Sequence, residues 1–356
     1  MRNKKSIFIF FIFVLLVLFF SRIGKFIPVV WEVVFNKEIS LKKTDSETVN
    51  VLLLGVGSGQ HEGPGLTDTI MLASMNPAKQ TATLVSIPRD LWVPELLGKV
   101  NTAYAIGEKK QKNGGVILSK AVVSKVLGQQ VDYVFVIDFD GFVKAVDLIG
   151  GVDIVVENTF DDYEYPVEEK TEDLCDRTLD EATDLLATQS ATFVFPCRYA
   201  HVRFDKGDVH MDGKTALTFV RSRYAVGVEG TDFARSRRQQ KVISAFKDKM
   251  LSAETLLNPI RVANLYAVIA DNIKTDISDN EIDDFIKLAQ KMRKAKISSY
   301  VLDWSLEDNR GLLTHPLPED FGGSWVLIPK AGDGNFSQIE KYVSCIIVFG
   351  TCTIQP

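Results

Sequence analysis

Residues Ala216–Met250 read ALTFVRSRYAVGVEGTDFARSRRQQKVISAFKDKM and gather Arg221, Arg223, Arg235, Arg237 and Arg238 in a chain whose formal charge is -5. The second half has the period of a helix. Val242, Ile243, Phe246 and Met250 recur as a buried stripe, and Asp232 stands where an N-cap is expected. Stepping back by four lands on Arg238 from Val242, and on Gln239 and then Arg235 from Ile243. Cationic and polar side chains therefore lie at the N-terminal end of the face that turns inward. Burying a guanidinium without an anion costs several kcal/mol, so the helix start implies an internal carboxylate or a bound anion. A helix N-terminus already favours negative charge. Arg221 and Arg223 close the preceding amphipathic segment, capped at its start by Asp212, and the loop through Gly227 and Gly230 folds it back, so that four arginines converge. A solvated basic flank is the competing account, and the inward phase of Arg235 and Gln239 argues against it. Arg237 falls on the outward face and reads as surface charge.

The 46% hydrophobic and 24% charged fractions over 356 residues are those of a folded protein. The negative balance excludes a general nucleic-acid-binding surface, so the arginines are a local device and no nucleic-acid partner is expected. Residues 1–5 carry Arg2, Lys4 and Lys5, and Ile7 to Phe20 contains no polar residue. Residues 6–28 are expected to form a transmembrane anchor, with residues 1–5 a cytoplasmic tail and the main domain outside the cell membrane. A cleaved signal peptide is the rival, but SRIGKF offers no small-x-small site. Residues 29–48, mostly polar from Glu32 to Glu47, suit a linker. Cys175, Cys197, Cys345 and Cys352 fit an oxidising compartment and form no CxxC pair. Pairing in chain order is the expected connectivity, with free buried thiols the alternative.

From residue 49 the pattern alternates strand and helix. Val49–Val56 is an apolar run of strand length, expected at the centre of a sheet and covered on both faces. The glycine-rich segment GSGQHEGPG that follows lacks the signature of a phosphate-binding loop. Thr69–Met75 and Thr81–Ile87 predict a hairpin across Asn76–Lys79, which makes Asp68 and Arg89 neighbours at one sheet edge; a plain salt bridge between them is one reading. Helices are predicted over Gly115–Leu127 and Phe139–Leu148, and strands over Asp132–Asp138, Val152–Val156 and Phe193–Phe204. Asp161–Asp184 is acidic and reads as a surface insertion. Beyond Met250, helices are predicted over Ala253–Ile269 and Asn280–Ala295. Short strands are predicted at Tyr300–Trp304, Trp325–Ile328 and Val343–Val348. The expected fold class is α/β, a mixed central sheet sandwiched between helices, with residues 49–296 as the main domain and 297–356 as a small C-terminal α+β extension.

Several segments together resemble the LytR-CpsA-Psr family of cell-wall glycopolymer transferases. They are LLLG at Leu52–Gly55, TDTIML at Thr67–Leu72, SIPRD at Ser86–Asp90, KVNTAY at Lys99–Tyr104, FDGFVKAVDLIGGVDI at Phe139–Ile154, MDGKTALTFVRSRY at Met211–Tyr224 and TDFARSRRQQKVI at Thr231–Ile243. In that order they cover about Val49 to Met250 and form a composite far more specific than any one motif. The resemblance implies a three-layer αβα fold. It also implies a phosphotransferase that moves a glycan phosphate from a polyprenyl-pyrophosphate carrier to peptidoglycan, with Mg2+ or Mn2+ as cofactor. On the matching positions, Asp68 is a metal-side carboxylate, Asp68, Arg89 and Arg221 are catalytic, and Arg89, Arg221, Arg223 and Arg235 clamp the pyrophosphate with Arg238 and Gln239 assisting. The physical reading agrees, because a pyrophosphate needs several charge-assisted donors at once and guanidinium forks match its geometry.

Two positions depart from the family pattern. Gly57 stands where an aspartate is usual, and Leu66 where an arginine is usual. These departures keep a second reading open, a non-catalytic or hydrolytic polyprenyl-pyrophosphate-binding protein. Glu62, Asp90 and Asp232 are the candidate acids to stand in for residue 57.

Overall fold

The computed structural model describes residues 38–42, 47–57, 65–167, 170–250, 252, 268, 271–302 and 311–352. The predicted anchor, Glu62 and nearly all of the helix predicted over Ala253–Ile269 lie outside them. Among the described residues no helix is long and apolar enough to cross a membrane.

Strands β1 (Val49–Val56), β2 (Thr67–Asn76) and β3 (Thr81–Ser86) form an antiparallel meander. Two short strands, β4 (Trp92–Val93) and β5 (Gly98–Lys99), lead to helices α1 (Ala103–Lys110) and α2 (Gly114–Leu127). Then come β6 (Tyr133–Asp138), α3 (Phe139–Leu148) and β7 (Val152–Val156). Glycines at the α1–α2 crossing let the backbones touch: a Cβ at Gly107 or Gly114 would overlap the other residue's carbonyl.

Residues 161–184 are not the plain surface insertion expected from their acidity. They hold most of β8 (Phe160–Pro166) and the start of α4 (Leu179–Leu186), which has a Thr178–Glu181 capping box. Asp162 within them is 0% exposed. The strand predicted over Phe193–Phe204 is shorter. A helical turn, α5 (Ala191–Val194), precedes β9 (Tyr199–Phe204), because Ser190 caps the turn and Pro196 interrupts the extended run. Strand β10 (Gly207–Met211) pairs with β7. Helices α6 (Gly213–Arg221) and α7 (Asp232–Met250) follow.

The remainder is β11 (Ile273–Thr275), α8 (Ile282–Lys291), β12 (Lys296–Val301), β13 (Leu313–Thr314), β14 (Ile328–Pro329) and α9 (Ser337–Phe349). The main sheet runs β11-β6-β1-β2-β3-β12, with β1–β6 and β3–β12 parallel and the other neighbours antiparallel. The mixed sheet sits between helical layers. Alternation along β1 sends Leu52 and Leu54 to one face, into a core shared with Val123, Val126 and Ile339 of α2 and α9. It sends Val49, Val51 and Leu53 to the other, against Leu288 of α8 and Ile243 of α7.

The stretch from 297 is not a separate unit. Its first residues lie in β12, an edge strand of the main sheet, and Phe336, Ile339, Val343 and Ile346 belong to the main core. Val343–Val348 is helix rather than strand, since Ile339, Val343 and Ile346 recur at helical spacing and their apolar face is buried. Cys345 is bonded to Cys352 and Cys175 to Cys197. Nor are residues 38–42 a free tether. Leu41 is buried, Ser40 N donates to Asp284 Oδ2 (3.1 Å), Lys42 N donates to Tyr133 Oη (2.7 Å), and Tyr133 Oη donates to Glu281 (2.6 Å).

Candidate functional site

The last residues of β1 and β6 and the first of β2 meet at one end of the sheet, where Val56 pairs with both Thr67 and Asp138. Asp68 opens β2 there, and the chain leaving β3 turns at Pro88 and presents Arg89. Arg89 Nη1 lies 2.5 Å from Asp68 Oδ1 and its Nε lies 3.5 Å from Asp90 Oδ2. The Asp68 side chain is 46% exposed, so the pair borders solvent. Asp90 is turned inward, where Lys99 Nζ donates to it at 2.6 Å.

Helix α7 supplies the opposite wall. Asp232 is its first residue and not its cap; Thr231 takes that role, its Oγ1 accepting from Ala234 N at 3.1 Å while its carbonyl accepts from Arg235 N. Arg235, Ser236 and Gln239 line a narrow cleft with Asp68, Thr69, Ile70, Ser86 and Pro88. Gln240 Nε2 reaches Ser86 Oγ at 3.2 Å and ties this part of the helix to the end of β3. Ile87, Val301 and Leu327 complete the lining. Leu327 was not singled out by sequence; its N donates to Asp90 O and its O accepts from Trp92 N, which seats the C-terminal stretch against the arginine turn.

Arg221 ends α6. Its guanidinium carbon lies 4.2 Å from the Phe139 ring centroid and 5.8 Å from that of Tyr165, a cation–π arrangement at the end of β6. Arg223 is partly exposed, and its backbone N donates to Asp162 Oδ2 at 3.0 Å. Arg237 is exposed. The loop between α6 and α7 depends on glycine twice: Gly227 has φ 80°, and a Cβ at Gly230 would overlap Ala225 O.

Arg238 departs from the role expected of it beside the anion. Only 3% exposed, it donates from Nε to Phe219 O (2.9 Å), from Nη1 to Glu229 O (2.8 Å) and Oε2 (3.0 Å), and from Nη2 to Ser222 O (2.5 Å). Burial pushes its pKa down from the ordinary arginine value, and the Glu229 carboxylate pulls it back up. Its neutralising groups are internal, and the reason is that it packs beneath the end of α6, which supplies Phe219, and the returning loop, which supplies Ser222 and Glu229.

Residue 57 lies beside Phe139. A side chain there would have Phe139 3.8 Å from its Cβ, and the backbone has no positive φ, so Gly57 is not required by the fold. Of the candidate acids, Asp90 is committed to Lys99. Among the described residues lining the cleft, the Asp68 carboxylate, the hydroxyls of Thr69, Ser86 and Ser236 and the Gln239 carboxamide offer oxygen ligands. Magnesium is commonly held by one or two carboxylates together with substrate phosphates, and an exposed Asp68 at the cleft fits a shared ion of that kind. Among the described residues the one tight grouping of three potential ligands is Asp173 with Cys175 and Cys197, whose sulfurs are bonded to each other.

Comparison with known proteins gives a consistent result. A chain from Bacillus cereus strain AH820, the polyisoprenyl-teichoic acid--peptidoglycan teichoic acid transferase TagU, is 30% identical over 257 residues, 71% of this chain and 68% of its own. The crystal structure of B. subtilis TagV superposes with TM-score 0.55 at 21% identity, covering 86% of this chain and 99% of that one. The LytR-CPS2A-psr family protein YwtF (TagT), solved with bound octaprenyl pyrophosphate lipid, superposes with TM-score 0.51 at 20% identity, covering 88% and 95%. At these identities the structures establish the shared fold. A profile of the LytR_cpsA_psr family matches residues 32–315, and the chain belongs to that family.

Proposed function

We propose that this chain is a membrane-anchored, extracytoplasmic phosphotransferase that moves a glycopolymer phosphate from a polyprenyl-pyrophosphate carrier to peptidoglycan. The observation that carries the reading is the cleft in which Arg235 and Gln239 face Asp68, with Arg89 bonded to that carboxylate. TagU, named for this transfer, and YwtF, solved with octaprenyl pyrophosphate, support it through the common family.

The acceptor hydroxyl of peptidoglycan attacks the glycan-side phosphorus and forms a P–O bond to it as the bond from that phosphorus to the bridging oxygen breaks; polyprenyl phosphate leaves with the bridging oxygen, and the hydroxyl proton is lost to solvent. Guanidinium forks from Arg235, Arg221 and Arg223 would hold the phosphates and stabilise the charge that grows on the leaving group. Arg89 keeps the Asp68 carboxylate oriented at the cleft wall. A magnesium or manganese ion held by Asp68 and the substrate phosphates would, when bound, spread that same charge. The anchor over residues 6–28 and the location outside the cell membrane are part of the proposal; the apolar run and the two disulfides support them.

The test is incubation of the purified protein with a lipid-linked glycan, Mg2+ and peptidoglycan. Release of polyprenyl phosphate with glycan joined to peptidoglycan is expected, and absence of release contradicts the proposal. Omitting peptidoglycan separates transfer from hydrolysis. A second reading, binding of the lipid without turnover, is favoured by Gly57 and Leu66, which stand where an aspartate and an arginine are usual. On that reading Gly57→Asp, which the structure has room for, starts turnover in a protein that otherwise only binds.

A further inference from the structure

The residue between Arg221 and Arg223 is gripped from two sides. Helix α6 ends at Arg221, and Ser222 N still donates to Thr218 O. From strand β8, the fully buried Asp162 places Oδ2 to accept from Ser222 Oγ (2.6 Å), Arg223 N (3.0 Å) and Tyr224 N (3.2 Å), while its Oδ1 accepts from Glu164 N (3.0 Å). From helix α7, Arg238 donates to Ser222 O at 2.5 Å and to Phe219 O at 2.9 Å. Glu229 and the Phe160 ring, 4.9 Å away, enclose the guanidinium on its remaining sides. The chain beyond is held as well, Val226 N donating to Asp161 O at 2.9 Å.

We propose that Asp162 and Arg238 are a positioning pair, acting through Ser222 to set the directions in which Arg221 and Arg223 leave the backbone towards the diphosphate. The inference rests on the reading that these two arginines contact that group. Neither Asp162 nor Arg238 is exposed enough to touch a substrate, and an acid presented to a diphosphate would repel it. Their effect is preorganisation. A helix end with unsatisfied donors at 222–224 would sample several turns, and each would aim the two arginines differently; three donors converging on one carboxylate oxygen leave a single turn.

The test compares Arg221→Ala, Arg223→Ala, Ser222→Ala, Asp162→Asn and the doubles Ser222→Ala/Arg223→Ala and Asp162→Asn/Arg223→Ala. Each is read by equilibrium binding of farnesyl diphosphate and by thermal unfolding. Arg223→Ala is expected to weaken binding roughly tenfold or more, and Ser222→Ala about three- to tenfold while remaining folded. Because Ser222 acts through Arg221 and Arg223, Ser222→Ala is expected to cost clearly less affinity when added to Arg223→Ala than it costs alone. Wild-type affinity in Ser222→Ala, or losses that multiply in the doubles, overturns the positioning role and leaves the proposed function standing. No binding by the wild-type protein, or unchanged binding in both Arg221→Ala and Arg223→Ala, overturns the diphosphate reading and this inference together. Those outcomes are recognised before any double is made.

Discussion

Two ridges of helix α7 start from the same kind of residue and end in different chemistry. On one, Arg238 and Val242 face the cluster of Phe160 and Phe219, and the guanidinium is satisfied by Glu229 and three carbonyls. On the other, Arg235, Gln239 and Ile243 face the sheet, and the polar end of the ridge opens on the cleft that holds Asp68. A turn of helix separates a cation bonded to the segment folded over it from one that lines the cleft beside Asp68. Burial alone does not tell them apart, since Arg235 is 8% exposed and Arg238 3%. What differs is what lies opposite: a loop of the same chain, or a recess in the surface.

The comparison is broken or sharpened by a graded set of substitutions. Arg238→Ala removes the ion-pair partner of Glu229, which keeps its bond from Asn158 Nδ2, and leaves the carbonyls of Phe219 and Ser222 without their buried donor, so unfolding free energy should fall by about 3 kcal/mol or more. A chemical denaturation curve near that of the wild type would place Arg238 with the ligand-facing group. Arg235→Ala should instead weaken prenyl diphosphate binding by about 2 kcal/mol, roughly thirtyfold, with a much smaller change in stability. Stability loss without affinity loss there would merge the two ridges into one structural role. Tyr133→Phe, at the opposite end of the sheet, should cost about 1–2 kcal/mol of stability by stranding Lys42 N and Glu281, and should leave diphosphate affinity unchanged. Arg237→Ala, on the exposed side of the same helix, should move both quantities by less than about 0.5 kcal/mol, as measured by denaturation and titration.

Much of this was legible in the sequence where local signals agreed. The strand at Val49–Val56, the β2–β3 hairpin, the Phe139–Leu148 helix and the Asp212 cap follow from periodicity, turn residues and capping chemistry. The inward phase of Arg235, Arg238 and Gln239 followed from spacing, but their destinations did not. Which ridge meets Glu229 and which meets Asp68 depends on segments brought in from elsewhere in the chain. Asp162 was hidden for the same reason. In a run of acids it reads as surface, and it is buried because its partners lie about 60 residues further along. The helix at Ser337–Phe349 was obscured by its run of Ile and Val, whose strand preference gave way to packing on α2 and the sheet.

The most direct measurement is a structure of the protein soaked with a prenyl diphosphate and Mg2+. The account predicts diphosphate oxygens within hydrogen-bonding distance of Arg235, Arg221 and Arg223, Asp68 beside them, and Arg238 still bonded to Ser222 and Glu229. A diphosphate bound elsewhere, with the cleft by Asp68 empty, would contradict it.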